Sequence, residues 1–229
     1  MNTIPFESLT LNERAYSEIK KRIINREFQP GQRLVDSQLA EAFGISRTPI
    51  RDAMRKLTDE GLLINTSPRG FYVFHPSLKD LEEIFDISEM IELAAAKKII
   101  ATLSGRNFQE MEDKLTTLEQ KANIINLVDD DEEFKRYMID IADNKRLYDI
   151  YLKNQSQRVL LANIIFYDKS GEARKNRIEK SRMVHNKIIY GLKTLDLAFT
   201  SDAIAEHTNY GRQDAIQYIN QLSEILHKK

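Results

Sequence analysis

The 229-residue chain has no cysteine and no tryptophan. Without cysteine there is neither a disulfide framework nor a thiolate metal site. Proline is scarce and unevenly spread: all five (Pro5, Pro30, Pro49, Pro68, Pro76) precede residue 77, and strand-like runs stop at the same point. No apolar run approaches the ~20 residues of a membrane span. Met1 to Ser8 lacks the basic and apolar regions of a secretory signal, so a cytoplasmic location and no membrane partner are expected. Neither sign of charge dominates, the net charge being −1, so no global field draws the chain to nucleic acid. There is no internal repeat, no low-complexity tract, and no evident Ser/His/Asp or Cys/His set for nucleophilic catalysis.

What is present is globular: 41% hydrophobic and 30% charged residues, enough for a sizeable core. Residues 1–76 carry 11 Lys/Arg against 9 Asp/Glu, and residues 77–229 carry 23 against 26. The asymmetry is mild, so any DNA affinity has to come from a local face. The proline break suggests domains at 1–76 and 77–229, with His75-Pro76-Ser77 as linker.

The stretch from Ser37 to Gly61, SQLAEAFGISRTPIRDAMRKLTDEG, reads as a helix-turn-helix. Leu39, Ala40 and Phe43 give a first short helix an apolar side. Gly44 stands where a helix ends in a left-handed residue, and Ile45 plugs the turn. Ser46 is placed to cap the second helix through its hydroxyl, and Pro49 sits in the first turn, where a missing N–H costs nothing. Ile50, Met54 and Leu57 face inward at i, i+4, i+7. Arg47, Arg51 and Arg55 form a neighbouring stripe with Thr48, suited to the floor of the major groove. The same stripe also suits a solvated amphipathic helix. Upstream, Thr10-Leu11-Asn12-Glu13 has the pattern of a capping box and opens a helix to about Asn25. Downstream, Leu62-Leu63-Ile64 and Phe71-Tyr72-Val73-Phe74 flank a Ser/Pro/Gly turn and read as a β-hairpin. Behind a helix-turn-helix that hairpin is a wing, with Arg69 and Gly70 at its tip to approach a phosphate or enter a groove.

From Tyr16 to Val73 the chain resembles the winged-helix domain of the GntR superfamily of bacterial transcription factors. The resemblance is carried by Pro30-Gly31, Leu34, Leu39-Ala40, Gly44-Ile45-Ser46-Arg47-Thr48-Pro49-Ile50-Arg51, Leu57, Glu60-Gly61-Leu62 and Arg69-Gly70. Val35 departs from it, standing where a Ser or Asn cap is common, and Asp36 can start the helix one residue later. The resemblance implies DNA contacts from Ser46, Arg47, Thr48, Arg51, Arg69 and Gly70.

The remainder reads as an all-α bundle of about six helices, near 78–103, 107–125, 129–142, 145–167, 173–194 and 201–227. The chain as a whole is therefore expected to be mainly α. Asp131, Phe134, Lys135 and Met138 share one helical face. Ile178, His185, Ile189 and Leu192 share another, and Ile204, His207, Thr208 and Gly211 a third. Ionisable groups inside a bundle mark a ligand or metal site. The spacing equally allows a surface Asp131–Lys135 pair and satisfied core histidines.

This half resembles the FCD ligand-binding domain of the FadR-like branch, with a helix count of the VanR-like subtype. The match lies in Ile91-Glu92 with Ala94-Ala95; Asp131 to Lys135 followed by Ala142-Asp143-Asn144; His185 with Ile188-Ile189 and Leu192; and Ala203 to His207. It implies a divalent metal (Zn, Ni or Mn) held by Asp131, His185, His207 and a further histidine, whose place Lys135 takes. An ammonium cannot ligate, so weak or absent metal is expected, with Lys135 paired to Asp131 or to an acidic effector. Ser88 is a second departure, an arginine being common there. Asp131, Lys135, Arg158, His185 and His207 are the expected effector-binding set, with Asn163 and Arg182 as further polar candidates. The reading is a homodimeric regulator on a pseudo-palindromic operator in double-stranded DNA, not an enzyme, whose effector is a small carboxylic acid. A metal-sensing regulator and a metal-dependent hydrolase fused to a DNA-binding domain are the alternatives.

Overall fold

The computed structural model describes residues 10–66, 70–103, 108–123, 128–167 and 171–227. The chain divides into two compact units, Met1–Pro76 and Ser77–Lys229.

In the first unit, α1 (Leu11–Ile24) opens on a reciprocal capping box: Thr10 Oγ1 accepts from Glu13 N–H, and the Glu13 carboxylate accepts from Thr10 N–H at 2.8 Å. Ala15, Ile19 and Ile23 are buried against α3. Across that contact, Glu60 accepts from Tyr16 Oη at 2.5 Å and from Lys20 Nζ at 2.6 Å. Helices α2 (Asp36–Phe43) and α3 (Arg47–Asp59) are joined through Gly44, whose φ of 66° only glycine adopts freely. The inward face of α3 is Ile50, Ala53, Met54 and Leu57, with Pro49 also buried.

The sheet is larger than a hairpin. Strands β1 (Arg33–Leu34), β2 (Leu63–Thr66) and β3 (Gly70–Val73) run antiparallel in the order β1-β3-β2. Leu34 pairs with Phe71 on one side, and Asn65 pairs with Phe71 on the other. A two-residue strand has no alternation to detect, which is why the sequence pattern misses β1.

The capping expected of Ser46 is not made. Ser46 is the N-cap residue of α3 with extended backbone, but its hydroxyl bonds no amide of the first turn. α2 starts at Asp36 behind an uncapped Val35.

The second unit holds, among the described residues, six helices: α4 (Leu78–Leu103), α5 (Phe108–Asn123), α6 (Val128–Ile141), α7 (Lys145–Tyr167), α8 (Gly171–Lys193) and α9 (Leu197–His227). α4 opens on Ser77, whose hydroxyl accepts from Asp80 N–H while Asp80 accepts from Ser77 N–H. α9 begins four residues earlier than its sequence pattern suggests. Asp196 accepts from Phe199 N–H at 2.9 Å and starts the helix there, so residues 197–200 are helix rather than loop. The core is built from Ile91, Ala95 and Ile99 of α4, Leu115 and Leu118 of α5, Phe134 and Met138 of α6, Ile188 and Leu192 of α8, and Ile204 of α9. Polar residues reach inside from α4, α6, α7, α8 and α9 and form the site described next.

Candidate DNA-reading face and bundle cavity

On the first unit, Ser46, Arg47 and Thr48 are exposed at the start of α3. The Arg47 and Arg51 side chains keep 62% and 53% of their exposure. Both lean on one carboxylate. Arg47 Nη2 donates to the two oxygens of Asp36 at 3.0 Å each, and Arg51 Nε lies 3.5 Å from Asp36 Oδ2. Arg55, one turn on, pairs instead with Asp52 at 3.5 Å. Gly70 has φ +100°, and a Cβ there would stand 3.7 Å from Arg33 Nε. Arg33 therefore lies against the start of β3. Sequence reasoning had no reason to choose it, because only the β1–β3 pairing brings it there. Arg69 lies outside the described residues.

In the second unit a cavity of about 60 Å³ opens among five helices, with walls from Phe85 of α4, Asp131 and Lys135 of α6, Arg158 of α7, Arg177 of α8, and His207 and Gly211 of α9. Its charges are paired from helix to helix. Lys135 Nζ meets Glu92 Oε1 at 3.1 Å and Asp131 Oδ2 at 3.9 Å. Arg158 Nη2 bonds Glu132 Oε2, and its Nη1 lies 3.7 Å from Glu92 Oε1. Tyr151 Oη donates to the Glu132 carbonyl and carboxylate at 3.1 and 3.2 Å. Arg177 Nε donates to Asp214 at 2.8 Å, and its Nη1 to Ser181 Oγ at 2.8 Å.

Lys135 is only 7% exposed, which excludes both a surface pair with Asp131 and an ammonium turned out to water. Its nearer partner is Glu92, not Asp131, because Glu92 falls on the inward stripe of α4 between Ser88 and Ala95. Ser88 is itself buried, donating to the Ile84 carbonyl at 2.7 Å and accepting from Asn154 Nδ2 at 2.9 Å. Of the further polar candidates, Asn163 bonds back to the Val159 carbonyl at 2.9 Å, and Arg182 lies 3.7 Å from Glu179. Neither lines the cavity.

Asp131 faces the two histidines. His207 Nε2 and His185 Nε2 lie 3.2 and 3.3 Å from its Oδ1, and the hydrogen bond with His207 helps to keep the carboxylate ionised. His185 sits behind the cavity wall. It is fully buried and stacks on Phe134 with ring centres 3.7 Å apart, and its ring centre is 4.5 Å from that of His207. Burial pushes the His185 imidazole well below its ordinary value, and His207 adds to this against the pull of Asp131. Burial and then Lys135 lower His207 too, again with Asp131 opposing. Burial would raise the Asp131 carboxyl, but the charges of His207 and Lys135 outweigh it and hold it well below the usual range. Burial also lowers Arg158, but Glu132 outweighs it, and the guanidinium stays charged. Tyr151 is raised by burial and by Glu132, and stays a phenol.

Asp131, His185 and His207 offer ligand atoms within 4.8 Å of one another. One carboxylate and two imidazoles form a donor set for zinc, nickel or manganese. The surroundings do not fit a tightly held dication. The Lys135 ammonium, 3.9 Å from Asp131 Oδ2, is buried and stays nearby. An ion held at Asp131 would share its surroundings with that ammonium, and at ~4–6 Å a screened repulsion between a dication and an ammonium is on the order of several kcal/mol.

A winged helix joined to a helical bundle with a polar cavity defines a DNA-binding transcription regulator of the two-domain kind. Comparison with known proteins gives the family. Residues 11–73 match the model of the bacterial regulatory proteins of the gntR family, and residues 83–210 match the FCD domain. The uncharacterized HTH-type transcriptional regulator YdhC of Bacillus subtilis (strain 168) is 28% identical over 202 residues, covering 85% of this chain and 86% of YdhC. The HTH-type transcriptional repressor RspR of Escherichia coli (strain K12) is 25% identical over 143 residues, covering 61% of this chain and 62% of RspR. The solved structure of E. coli McbR/YncC superposes with a TM-score of 0.66 at 19% identity, over 91% of this chain and 98% of that one. The chain belongs to the GntR family, in its FCD-containing branch, and is a transcription regulator. Among the described residues, no helix is long and apolar enough to cross a membrane.

Proposed function

We propose that the chain acts in the cytoplasm as a homodimeric, non-enzymatic regulator. Residues 1–76 read a pseudo-palindromic operator, and residues 77–229 bind the effector and pair the two copies. Ser46, Arg47, Thr48, Arg51, Arg69 and Gly70 face the DNA. One reading helix spans only a few base pairs, so two copies are needed for a specific site. The effector is a small carboxylic acid seated in the bundle cavity against Arg158, Lys135 and His207. It binds one arrangement of the bundle better than another and so shifts operator affinity.

The observation that carries this is a set of buried polar atoms with no hydrogen-bond partner on residues that line one cavity: Arg158 Nε, His207 Nδ1 and Thr208 Oγ1. Such atoms are costly unless something pairs with them. A small molecule with a donor and a carboxylate would do so. The Asp131, His185 and His207 cluster favours a second reading, in which a divalent ion is the signal. The buried ammonium of Lys135 weighs against it.

The test uses the full chain and an operator selected from a randomised duplex pool. The complex should contain two chains per duplex. Titration with a panel of small carboxylic acids should find one that changes operator affinity, and Arg158→Lys, which keeps a cation opposite Glu132 but removes the guanidinium fork, should blunt that response while keeping DNA binding. A response to zinc or nickel chloride with none to any acid would replace this reading by the metal-sensing one.

A further inference from the structure

The two arginines that point outward from the start of α3 are tethered from another helix. Asp36, the first residue of α2, receives Arg47 Nη2 on both oxygens at 3.0 Å and has Arg51 Nε at 3.5 Å. The carboxylate is mostly covered, with 17% of its side-chain exposure left, while the two guanidinium groups stay more than half exposed.

This geometry assigns the edges of each fork. A guanidinium can meet a guanine through its terminal pair of nitrogens or through Nε and one neighbour. In Arg51 it is Nε that makes the ion-pair contact with Asp36, at 3.5 Å, so that carboxylate does not occupy the terminal pair. In Arg47 a terminal nitrogen is already committed to the carboxylate. The two residues are therefore not equivalent: Arg51 keeps a whole fork for a base edge, and Arg47 does not. The tether also removes side-chain freedom that each arginine would otherwise lose on binding. It sets a carboxylate, which phosphates repel, directly behind the reading surface. A duplex that offers no base to the Arg51 fork meets that repulsion without compensation.

We infer that Asp36 is a positioning residue for base recognition, holding Arg51 end-on toward one base pair of each half-site and disfavouring DNA that lacks the matching base. This rests on α3 being the reading helix.

Asp36 also lies in the first turn of α2, where a carboxylate complements the helix dipole, and Val35 before it provides no side-chain cap. A purely structural role would lower stability and weaken binding to all sequences alike. The experiment separates the two. Selection from a randomised duplex pool is repeated with native protein, Asp36→Asn, Arg51→Ala and the double variant. Affinities are then measured for the native-selected duplex and a scrambled duplex. Asp52→Asn removes the same charge from α3 without touching Arg47 or Arg51, and serves as the control for net charge. Asp36→Ser, a residue well tolerated at a helix start, substitutes if Asp36→Asn does not fold.

Asp36→Asn should bind the scrambled duplex more tightly and lose about tenfold in the ratio of selected to scrambled affinity, the scale of one lost base contact. The loss should fall at the base pair that Arg51→Ala also relaxes, and the double variant should relax no further than Arg51→Ala alone. Asp52→Asn should raise both affinities together and keep the ratio. The inference is overturned if Asp36→Asn keeps the native ratio, if its loss spreads evenly over the site, or if it persists undiminished beside Arg51→Ala. If native protein selects no motif, or Arg51→Ala selects the native motif unchanged, the assignment of the reading helix fails first and this inference with it.

Discussion

Lys135 and Glu92 face each other across α6 and α4 with Nζ and Oε1 3.1 Å apart, and both are almost fully buried. A charge pair sealed in this way is expensive to break from one side, up to about 3–5 kcal/mol, because the survivor stays buried with only a more distant partner, Asp131 at 3.9 Å from Lys135. Glu92→Ala should therefore destabilise the chain by about that much in urea denaturation. Lys135→Met combined with Glu92→Leu should cost clearly less than the sum of the single changes. Additive costs would mean that the two charges are not coupled.

Metal content follows from the same ammonium. The purified native chain should carry much less than one zinc, nickel or manganese per chain in elemental analysis. Lys135→His removes the charge and supplies a fourth ligand beside Asp131, His185 and His207, and should gain stoichiometric metal. Stoichiometric metal in the native protein would contradict the reading of Lys135 as an obstacle.

Gly211 has no room for a side chain. A Cβ there would lie 2.9 Å from Phe85 Cε1 and 3.3 Å from Cζ. Gly211→Ala should cost roughly 1–3 kcal/mol as an overpacked contact between α4 and α9, read as a lower thermal midpoint. Phe85→Leu should return part of the loss in the double variant. Equal midpoints for native and Gly211→Ala would show that the Phe85 ring moves aside freely.

On DNA, Arg51→Ala should lose roughly 1–3 kcal/mol and relax preference at one operator position. Arg69→Ala should weaken all sequences more evenly and flatten the salt dependence of binding, as the loss of a phosphate contact does. Binding measured over a series of salt concentrations distinguishes them. An unchanged salt slope for Arg69→Ala would remove the wing arginine from the phosphate contacts.

Acid should weaken the fold. His185 and His207 titrate below the ordinary 6.5 in the folded chain, so the unfolded chain binds protons first as pH falls. Stability from these two groups is intact above about pH 7 and declines once pH drops below 6.5. Asp131, lowered from 3.8, contributes with the same sign only near and below pH 4. The urea midpoint of the full chain should fall between pH 7.5 and pH 5.5, and fall less in His207→Asn. A midpoint that rises on acidification would mean that the imidazoles are stabilised in their charged form.

The sequence was most readable where one residue's local chemistry decides the structure. Gly44 ends a helix because of its φ, Thr10 and Glu13 close a capping box, and Ile50, Met54 and Leu57 face inward by helical period. The six helices of the second unit followed from the same periodicity. Features that depend on a distant partner were not readable. β1 exists because Arg33 and Leu34 find Tyr72 and Phe71. Glu92 looked like one acid in an apolar stripe until Lys135 and Arg158 were seen beside it. Arg177 and Asp214 enter the cavity only because α8 packs on α9. The pairing of Asp36 with Arg47 spans eleven residues and two helices, beyond any local pattern.

The short strand β1 also makes the reading head a single part. It is paired with the wing strand β3 at Arg33 and Leu34, and two residues later the same chain becomes Asp36, the tether of Arg47 and Arg51. Three residues of backbone therefore link the strand paired with the wing to the carboxylate that the two arginines share. On the proposed reading, with α3 over the bases and the wing in the neighbouring groove, an operator with one base pair inserted between the two should satisfy only one end at a time.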